Sequence, residues 1–320
     1  MGATCVVTGS AGFIGARLTE RLLDEGLEVI GIDAFTDAYD QAEKWARAAR
    51  LQRHPGYRHL TGDLATMSFD TCLRGVTTIF HLAGRAGSRA SFEHAPKYIH
   101  DNVAATARLL EGARRAPSVR RLVYASSSSV YGELAAPRRE DDEPAPISPY
   151  GETKLEAERL CRAASRAGDV ETVVLRYFTV YGPEQRPDMA LRRFIQAALD
   201  GRAIELYGSG SQSRDFAYVD DIVDATRRAA VAEADGLPVN VGCGVRVTLS
   251  AALDLLAEVI GGRLVVEHRA APPGDAQHAW ADLTRATTLL GFHPTVGLRE
   301  GLAAEADWLR ANAAQRQRLA

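Results

Sequence analysis

Short, uniformly apolar runs alternate with helical stretches along the first half of the chain. The apolar runs include TCVVTG, LEVIGID, TTIFHLAG and VRRLVYASS, and the helical stretches between them cover residues 13–26, 40–52 and 97–116. Strands that are buried on both faces of a parallel sheet show no polar alternation. The rhythm therefore predicts repeated strand–helix–strand units around a central sheet.

After residue 178 this alternation gives way to connections rich in proline and glycine. YGPEQRPD and YGSGSQSRD flank an apolar helical stretch, and residues 249–260 and 298–312 have the pattern of amphipathic helices. The chain has 320 residues, which suits a large α/β unit that carries a smaller lobe. We predict a doubly wound domain over residues 1–178 and a smaller mixed α/β lobe over residues 179–320, with segments near 215–242 returning to the first domain.

Composition and charge indicate what kind of molecule the protein binds. Hydrophobic residues make up 46% and charged residues 25% of the chain, which favours a packed core. A net charge of -3 and a pI of about 6.3 give no basic field, so we expect a small molecule rather than nucleic acid or an anionic membrane.

The spacing of the cysteines and the first residues of the chain give expectations for metal binding and for cellular location. Cys5, Cys72, Cys161 and Cys243 are scattered without CxxC spacing, so we expect neither a metal site nor a disulfide framework. The first predicted strand begins within three residues of Met1, and no apolar run approaches the roughly 18 residues of a membrane span. We therefore expect a cytoplasmic protein.

The junction of the first strand and first helix, VVTGSAGFIGARL, is rich in glycine. Gly9, Gly12 and Gly15 lack a Cβ, so the backbone can turn tightly and approach a pyrophosphate, whose charge would meet free N–H groups at the helix start. Asp33 ends the next strand, where its carboxylate can accept from both ribose hydroxyls and would repel the extra phosphate of NADP. The alternative is a glycine-rich turn without a ligand. Its place in the pattern instead predicts a Rossmann domain that binds NAD, with two further contacts at Phe13 and Ile14.

The segment SPYGETKLEAERL carries candidate catalytic groups. Tyr150 and Lys154 are four residues apart where a helix begins, so both lie on one face. A phenol titrates near pH ~10, and a nearby ammonium together with a cationic nicotinamide ring would favour the phenolate. Upstream, the serine run of YASSSSVYGE ends a buried strand and can offer a hydroxyl to the same substrate oxygen. An isolated Tyr-x-x-x-Lys is most often an ordinary surface pair, but this context favours catalysis.

The chain contains six motifs in this order: TGSAGFIG, GDL, HLAG, SSSSVYG, YGETK and RDFAYVDD. Both the motifs and their order resemble the nucleotide-sugar epimerase/dehydratase group of the extended short-chain dehydrogenase/reductases. The resemblance implies tightly held NAD, a nucleoside-diphosphate sugar in the second lobe, and a catalytic set formed by Ser127, Tyr150 and Lys154. It also implies a homodimer in which helices 97–116 and 150–167 form a four-helix bundle. The cofactor-binding residues that it adds are Asp63, Leu64, Ala83, Gly84 and Asn102.

Members of this group share the first chemical step and differ afterwards. Tyr150 as phenolate would take the proton of the sugar 4-hydroxyl while the C4 hydride passes to NAD, which gives a 4-keto intermediate. The related dehydratases place Asp-Glu where this chain has Ser128 and Ser129, and the decarboxylases typically have Glu at the Ser129 position. The uncharged hydroxyls therefore favour simple inversion at C4.

The segment LRYFTVYGPEQRPDMA indicates which sugar the protein binds. Many hexose epimerases have Asn where Thr179 stands. The chain instead resembles epimerases of UDP-glucuronate at Thr179, at QRPDMA, and at GIDAFTDAYD followed by KWARAARL. Ser128, Thr179 and Arg186 can supply the hydroxyl and guanidinium donors that a C6 carboxylate needs. A 4-keto uronate loses CO2 when its carboxylate stands perpendicular to the ketone, and these donors would suppress that loss. Alternatively, Thr179 fills space and Arg186 is a solvated charge.

The segment LYGSGSQSRDFAYVDD resembles the part of these enzymes that holds uracil and diphosphate, which implies roles for Tyr207 and Arg214. Many relatives carry a later Arg-x-Gly-Asp clamp, but APPGDAQ has Pro272 at the arginine position, and nearby Arg269 could replace it. We expect conversion of UDP-glucuronate to UDP-galacturonate. Three alternatives stay open: a 4-epimerase of UDP-glucose or UDP-N-acetylglucosamine, a UDP-glucuronate decarboxylase, and an NAD-binding sensor without chemistry.

Overall fold

A seven-stranded parallel sheet forms the centre of the computed structural model, which describes residues 3–134, 137–270 and 276–319. In chain order, the strands β1 to β13 are Thr4–Thr8, Glu28–Asp33, Tyr57–Thr61, Val76–His81, Arg121–Ser127, Glu171–Tyr177, Thr179–Tyr181, Ile204–Tyr207, Ser213–Arg214, Phe216–Tyr218, Pro238–Val241, Val247–Thr248 and Val266–Arg269. The central sheet has the order β11-β6-β5-β4-β1-β2-β3, and every neighbouring pair is parallel. The predicted doubly wound sheet is confirmed.

Helices pack against this sheet and make up much of the C-terminal part of the chain. In chain order, α1 to α11 are Phe13–Asp24, Gln41–Leu51, Ser88–Glu93, Ala95–Tyr98, Ala105–Arg115, Pro149–Arg166, Ala190–Leu199, Val219–Ala229, Leu249–Ile260, Thr284–Leu290 and Leu298–Leu319. Helix α8 packs on α1, and β11 extends the central sheet beside β6. The two-stranded pairs β7–β10, β8–β13 and β9–β12 and the helices α7, α9 and α11 complete the C-terminal part.

The strand order reverses next to β1, because β2 lies on one side of it and β4 on the other. In open α/β sheets, ligands bind in the crevice at the carboxyl ends of the strands at such a reversal. Thr8 and His81 end β1 and β4 there, and the Oγ1 atom of Thr8 lies 2.8 Å from the Nδ1 atom of His81. The topology therefore places the glycine-rich loop that follows β1 at a binding crevice.

The predicted single helix over residues 97–116 is wrong in one respect. A π-helical turn, Ile99–Ala104, separates α4 from α5. Asn102 lies in this turn and is buried, and its amide donates to the carbonyl of Arg85 and to the hydroxyl of Thr153. Such π-bulges are frequent at functional sites because they redirect a side chain.

The apolar pattern also does not predict β3. Its sequence, YRHLT, contains no apolar run, since the strand lies at the edge of the sheet and only Tyr57 is buried.

Candidate active site

The loop between β1 and α1 requires glycine at two positions for steric reasons. A Cβ on Gly15 would lie 2.1 Å from the carbonyl oxygen of Gly9, and a Cβ on Gly9 would lie 2.9 Å from the backbone nitrogen of Ala83. Gly9 also has a φ of +70°, which L side chains rarely adopt. Helix α1 begins at Phe13 without a side-chain cap, so its first N–H groups stay available for an anion.

A cavity of about 240 Å³ lies above this loop. Asp33 is buried at its edge and is oriented by two backbone N–H groups, those of Ala11 at 3.1 Å and Phe35 at 2.8 Å. The uncapped helix start, the close glycine backbone and this oriented carboxylate fit a dinucleotide. The predicted cofactor residues that line the cavity are Gly9, Gly12, Phe13, Ile14, Gly15, Asp33, Asp63, Leu64, Ala83, Gly84, Tyr150 and Lys154.

Asn102 is the one predicted cofactor residue that does not line this cavity. It lies behind Gly84, where a Cβ would come within 2.7 Å of the Asn102 Oδ1 atom. The same Oδ1 accepts a hydrogen bond from the backbone of Arg85 at 2.7 Å. Asn102 therefore supports the segment that follows β4 rather than facing the cavity.

Tyr150 and Lys154 lie on one face of α6, as the spacing predicts. Lys154 is buried, and its Nζ donates to the carbonyl of Ala125 at 2.5 Å and lies 4.5 Å from the ring centre of Tyr124. Burial lowers the pKa of Lys154 to about 8, while the charge of Glu158 acts in the opposite direction. Tyr150 is half-buried and lines both this cavity and the larger one beside it.

The phenol of Tyr150 is influenced by its surroundings in opposing ways. Burial raises its pKa above the ordinary value, and this effect exceeds the lowering by the nearby Ser127 hydroxyl and the charge of Arg186. Lys154, which we expected to favour the phenolate, donates to the Ala125 carbonyl. Its role beside Tyr150 stays a prediction.

The four consecutive serines have separate environments. Ser126 is buried, lines both cavities and donates to the carboxylate of Glu158. Ser127 ends β5, and its hydroxyl accepts from the backbone N–H of Ser129 at 3.1 Å, which caps the 3₁₀ turn Ser128–Tyr131. Ser127, Ser128 and Ser129 all line the larger cavity. The serine run is thus an ordered strand end.

A buried ion pair beneath this strand end is a feature that sequence reasoning missed. Glu158 and Arg176 are 1% and 2% exposed, and their shortest contact is 2.8 Å. Glu158 follows Tyr150 and Lys154 at intervals of four residues, so it lies on the same face of α6. That spacing is the signal that could have identified it.

The larger cavity has a volume of about 800 Å³ and lies between the central sheet and the C-terminal elements. The structure brings together all of the predicted substrate residues at its wall: Ser127, Ser128, Ser129, Thr179, Arg186, Tyr207 and Arg214. Thr179 begins β7, and Tyr207 and Arg214 end β8 and β9.

Arg186 lines both cavities and already has an ionic partner. Its Nε donates to the carboxylate of Asp188 at 3.0 Å, and its side chain is 15% exposed. An Nη2 atom also lies 3.5 Å from the carbonyl oxygen of Ala86. The guanidinium expected to meet a sugar carboxylate is thus held near Tyr150 by an acidic residue of its own loop.

Two arginines of the large-cavity wall lie beside the aromatic ring of Tyr207. The guanidinium carbons of Arg89 and Arg193 lie 4.4 and 5.8 Å from the ring centre of Tyr207. Arg214 donates to the carbonyl of Ser213 at 2.9 Å.

Pro272, which stands at the arginine position of the later diphosphate clamp of many relatives, lies outside the described residues. Arg269, the suggested replacement, pairs with Glu205 and Glu267 and is not part of the cavity wall.

The described ranges contain neither a cluster of metal-ligating side chains nor a membrane-spanning helix. Within residues 3–134, 137–270 and 276–319, no group of three or more His, Cys, Asp or Glu side chains is arranged to hold a metal ion. None of the helices in these ranges combines the length and the apolar character that crossing a membrane requires.

Comparison with known proteins identifies the family. Residues 5–242 match the model of the NAD dependent epimerase/dehydratase family. The UDP-glucuronate 4-epimerase of Thermodesulfobacterium geofontis is 36% identical over 317 residues, which cover 96% of each chain. A Bacillus subtilis (strain 168) protein named uncharacterized UDP-glucose epimerase YtcB is 37% identical over 307 residues, 95% of this chain and 97% of that protein.

Among solved structures, the UDP-glucuronic acid 4-epimerase of Bacillus cereus in complex with UDP-glucuronic acid and NAD superposes with a TM-score of 0.93. It is 34% identical, and the alignment covers 97% of this chain and 99% of that chain. These findings confirm the predicted fold, enzyme class and NAD dependence. The chain belongs to the NAD dependent epimerase/dehydratase family.

Proposed function

We propose that the protein inverts C4 of a UDP-sugar and that its substrate is UDP-glucuronate, which it converts to UDP-galacturonate. The observation that carries this proposal is the position of Tyr150 and Arg186, which both line the cofactor cavity and the larger cavity. A base and a guanidinium where the two cavities meet suit a sugar whose C4 hydroxyl and C6 carboxylate lie close together. The relatives and the solved structure named for UDP-glucuronate support the same substrate.

The catalytic roles follow from the contacts around Tyr150. We assign Tyr150 as the base that takes the proton of the sugar 4-hydroxyl, and Ser127, which lines the same cavity, as the hydroxyl that holds the same oxygen. Lys154 stabilises the strand end through the Ala125 carbonyl and adds a positive charge to the cofactor cavity. NAD, when bound, supplies the hydride acceptor and donor for C4.

The carboxylate-binding roles belong to Ser128, Thr179 and Arg186. A guanidinium can hold a carboxylate by two parallel hydrogen bonds, and the two hydroxyls can donate to its remaining lone pairs. Arg186 would exchange Asp188 for the sugar carboxylate when the substrate binds. Donors on several sides would keep the carboxylate in the plane of the C4 ketone and so suppress loss of CO2.

The nucleotide would occupy the part of the large cavity around Tyr207. We assign Tyr207 to the uracil side and Arg214 to the diphosphate, because both line the large cavity together with Arg89 and Arg193. A diphosphate needs such a concentration of guanidinium groups. In the same proposal, residues 1–178 bind NAD and residues 179–320 mainly bind the nucleotide sugar.

A homodimer in the cytoplasm is part of this proposal. The helical segments near 97–116 and 150–167 would form the interface, and the exposed side chain of Ile99, on the π-helical turn, gives one of them an apolar surface. Light scattering of the purified protein should then give twice the 34.5 kDa mass of the chain.

A second candidate function is 4-epimerisation of a neutral UDP-hexose. The ion pair between Arg186 and Asp188 favours it, since Arg186 then needs no substrate carboxylate to balance its charge. The relative named as a UDP-glucose epimerase points in the same direction. Decarboxylation is less well supported, because Ser129 offers no carboxylate at the position where decarboxylases have one.

The deciding experiment incubates the purified protein with UDP-glucuronate and identifies the product sugar by NMR. UDP-galacturonate is expected, with the six-carbon uronate intact. Faster conversion of UDP-glucose than of UDP-glucuronate would instead establish the second candidate. A pentose product would indicate a decarboxylase, and retained NAD without conversion of any UDP-sugar would indicate a sensor.

A further inference from the structure

Glu184 has a backbone conformation that residues other than glycine rarely adopt. Its φ is 68°, and among the described residues only Phe35 shares this property with it outside glycine. A left-handed conformation costs free energy in an L residue, so it persists only where the surroundings enforce it, and such outliers cluster at functional sites. Glu184 stands two residues before Arg186, in the loop between β7 and α7.

Two guanidinium groups from helix α2 enforce this conformation. Arg47 donates to the Glu184 carboxylate at 3.0 Å and to its backbone carbonyl at 2.9 Å. Arg50 donates to the same carboxylate at 2.6 Å. The two arginines differ in burial, because the side chain of Arg47 is 3% exposed and that of Arg50 is 44% exposed.

The Nη1 donors of Arg47 reach the cofactor site, while its Nη2 atom also donates to Glu43 of the same helix at 3.3 Å. One of its Nη1 bonds goes to the carbonyl oxygen of Ala11 at 3.3 Å, and the other goes to the hydroxyl of Tyr39 at 3.1 Å. Ala11 lies inside the glycine-rich loop, and Tyr39 lines the cofactor cavity. The Tyr39 ring also faces Arg186, whose guanidinium carbon lies 5.9 Å from the ring centre. Arg50 instead completes its contacts with Glu20 on α1.

We propose that Arg47 is a positioning residue that couples the cofactor site to Arg186. A guanidinium stays charged and offers its donors in one rigid plane, so fixing the glycine-rich loop also fixes Glu184. The loop that carries Arg186 is then held in the geometry that receives a substrate carboxylate. This inference rests on the proposed function, because it takes Arg186 as the carboxylate ligand.

Coupling between two binding sites is reciprocal. If NAD orders the Arg186 loop through Arg47, then a carboxylate bound at Arg186 must also raise the affinity for NAD, and we expect this to appear as slower release of NAD. A neutral sugar, which does not engage Arg186 in the same way, should slow the release less. The proposal therefore predicts a substrate effect on the cofactor that depends on one buried arginine of α2.

The test measures the rate of NAD release from the purified holoenzyme, with and without saturating UDP-glucuronate. Couplings of this kind typically amount to a factor of about 5 to 150, and we expect wild-type protein to release NAD at least ~5-fold more slowly with the uronate bound. Arg47→Ala should bring this ratio close to one. Arg47→Lys should not restore it, because a single ammonium cannot span the Ala11 and Glu184 carbonyls together.

Arg50→Ala is the matched control, since it removes a guanidinium from the same Glu184 carboxylate but makes no contact with Ala11 or Tyr39. It should keep the wild-type ratio. If Arg47→Ala fails to fold, Arg47→Lys is measured in its place, because it keeps a positive charge at this buried position but cannot span the Ala11 and Glu184 carbonyls. A wild-type ratio in Arg47→Ala, or in Arg47→Lys where Arg47→Ala does not fold, would overturn the proposal.

Failure of the proposed function would look different. If wild-type protein converts UDP-glucose and leaves UDP-glucuronate unchanged, the uronate assignment is wrong. The Arg47 proposal is then decided by release of NAD alone, which Arg47→Ala should accelerate and Arg50→Ala should not. Equal release rates in these two variants would reject it independently of the sugar.

Discussion

The cofactor cavity and the substrate cavity share Tyr150 and Arg186 but are built from different parts of the polypeptide. The cofactor cavity depends on close backbone approaches at Gly9 and Gly15, within one short loop. The substrate cavity is assembled from side chains on separate segments, including the serine run, the β7 start and the ends of β8 and β9. Backbone geometry of this kind tolerates almost no added atom, whereas a wall of side chains loses one contact at a time. Changes in the first cavity should therefore be all-or-none and changes in the second graded.

Gly15→Ala should have the largest effect, because it adds an atom where the backbone already meets itself. The new Cβ would lie 2.1 Å from the Gly9 carbonyl oxygen, and neither backbone segment can move without displacing β1 or α1. Overpacking of this kind costs typically ~1–3 kcal/mol of stability, and here it also closes the pyrophosphate site. We expect protein purified without bound NAD and a lower urea midpoint. Gly262→Ala is the control, since a Cβ there meets no atom within 4 Å; normal NAD content in Gly15→Ala would refute the steric argument.

Tyr150→Phe should have the second-largest effect, and it should lower turnover without changing the binding of NAD. It removes only the phenolic oxygen, so the ring still fills the boundary and Lys154 keeps its bond to Ala125. Loss of a general base lowers turnover by about 10²- to 10⁴-fold. NAD content should equal that of wild-type protein. Turnover within a factor of two of wild type would remove Tyr150 from its role as base.

The contrast between the two cavities also explains what the sequence could predict. The glycine-rich loop, the buried parallel strands and the Tyr150–Lys154 spacing are local patterns whose geometry follows from neighbours in the chain. Resemblance to the family added Ser127, Thr179 and Arg214, which now lie around one cavity, and their roles stay predictions. The fold and the cofactor loop were therefore accessible from pattern alone.

Contacts between distant segments were not accessible in this way. Arg47 and Glu184 are separated by 137 positions, and a charged residue on a helix is in most cases solvated, so nothing in the sequence predicts that Arg47 is buried. The spacing of Glu158 from Tyr150 indicates the helix face on which it lies, but nothing in the sequence identifies Arg176 as its partner. Such pairs depend on which elements the tertiary fold brings together.

Arg186→Ala should give a graded effect confined to the substrate side. A hydrogen bond to a charged group contributes roughly 1.5–3 kcal/mol, so the Michaelis constant for UDP-glucuronate should rise by about 10- to 100-fold. Arg186 also lowers the pKa of Tyr150, which affects both sugars equally, so the ratio between UDP-glucuronate and UDP-glucose isolates carboxylate recognition. Asp188→Asn is the companion variant, because it frees Arg186 and should lower the constant for the uronate. Equal effects of Arg186→Ala on both sugars would exclude Arg186 from carboxylate binding.

The smallest effect concerns pH and Glu305, which supports the loop that carries Arg186. Glu305 is fully buried and accepts from the Gly182 N–H at 3.1 Å, while its other oxygen has no hydrogen-bond partner among the described residues. Burial raises its pKa from 4.5 to about 8, and the Gly182 bond and the charge of Arg192 only partly oppose this. Because the folded protein binds this proton more tightly than the unfolded chain, its stabilising contribution is complete below pH 4.5 and is lost as the pH rises through 8. Urea unfolding should show a decrease of about 1 kcal/mol between pH 7 and pH 8 in wild-type protein relative to Glu305→Gln, which cannot titrate; parallel pH profiles would show that Glu305 is not the group responsible.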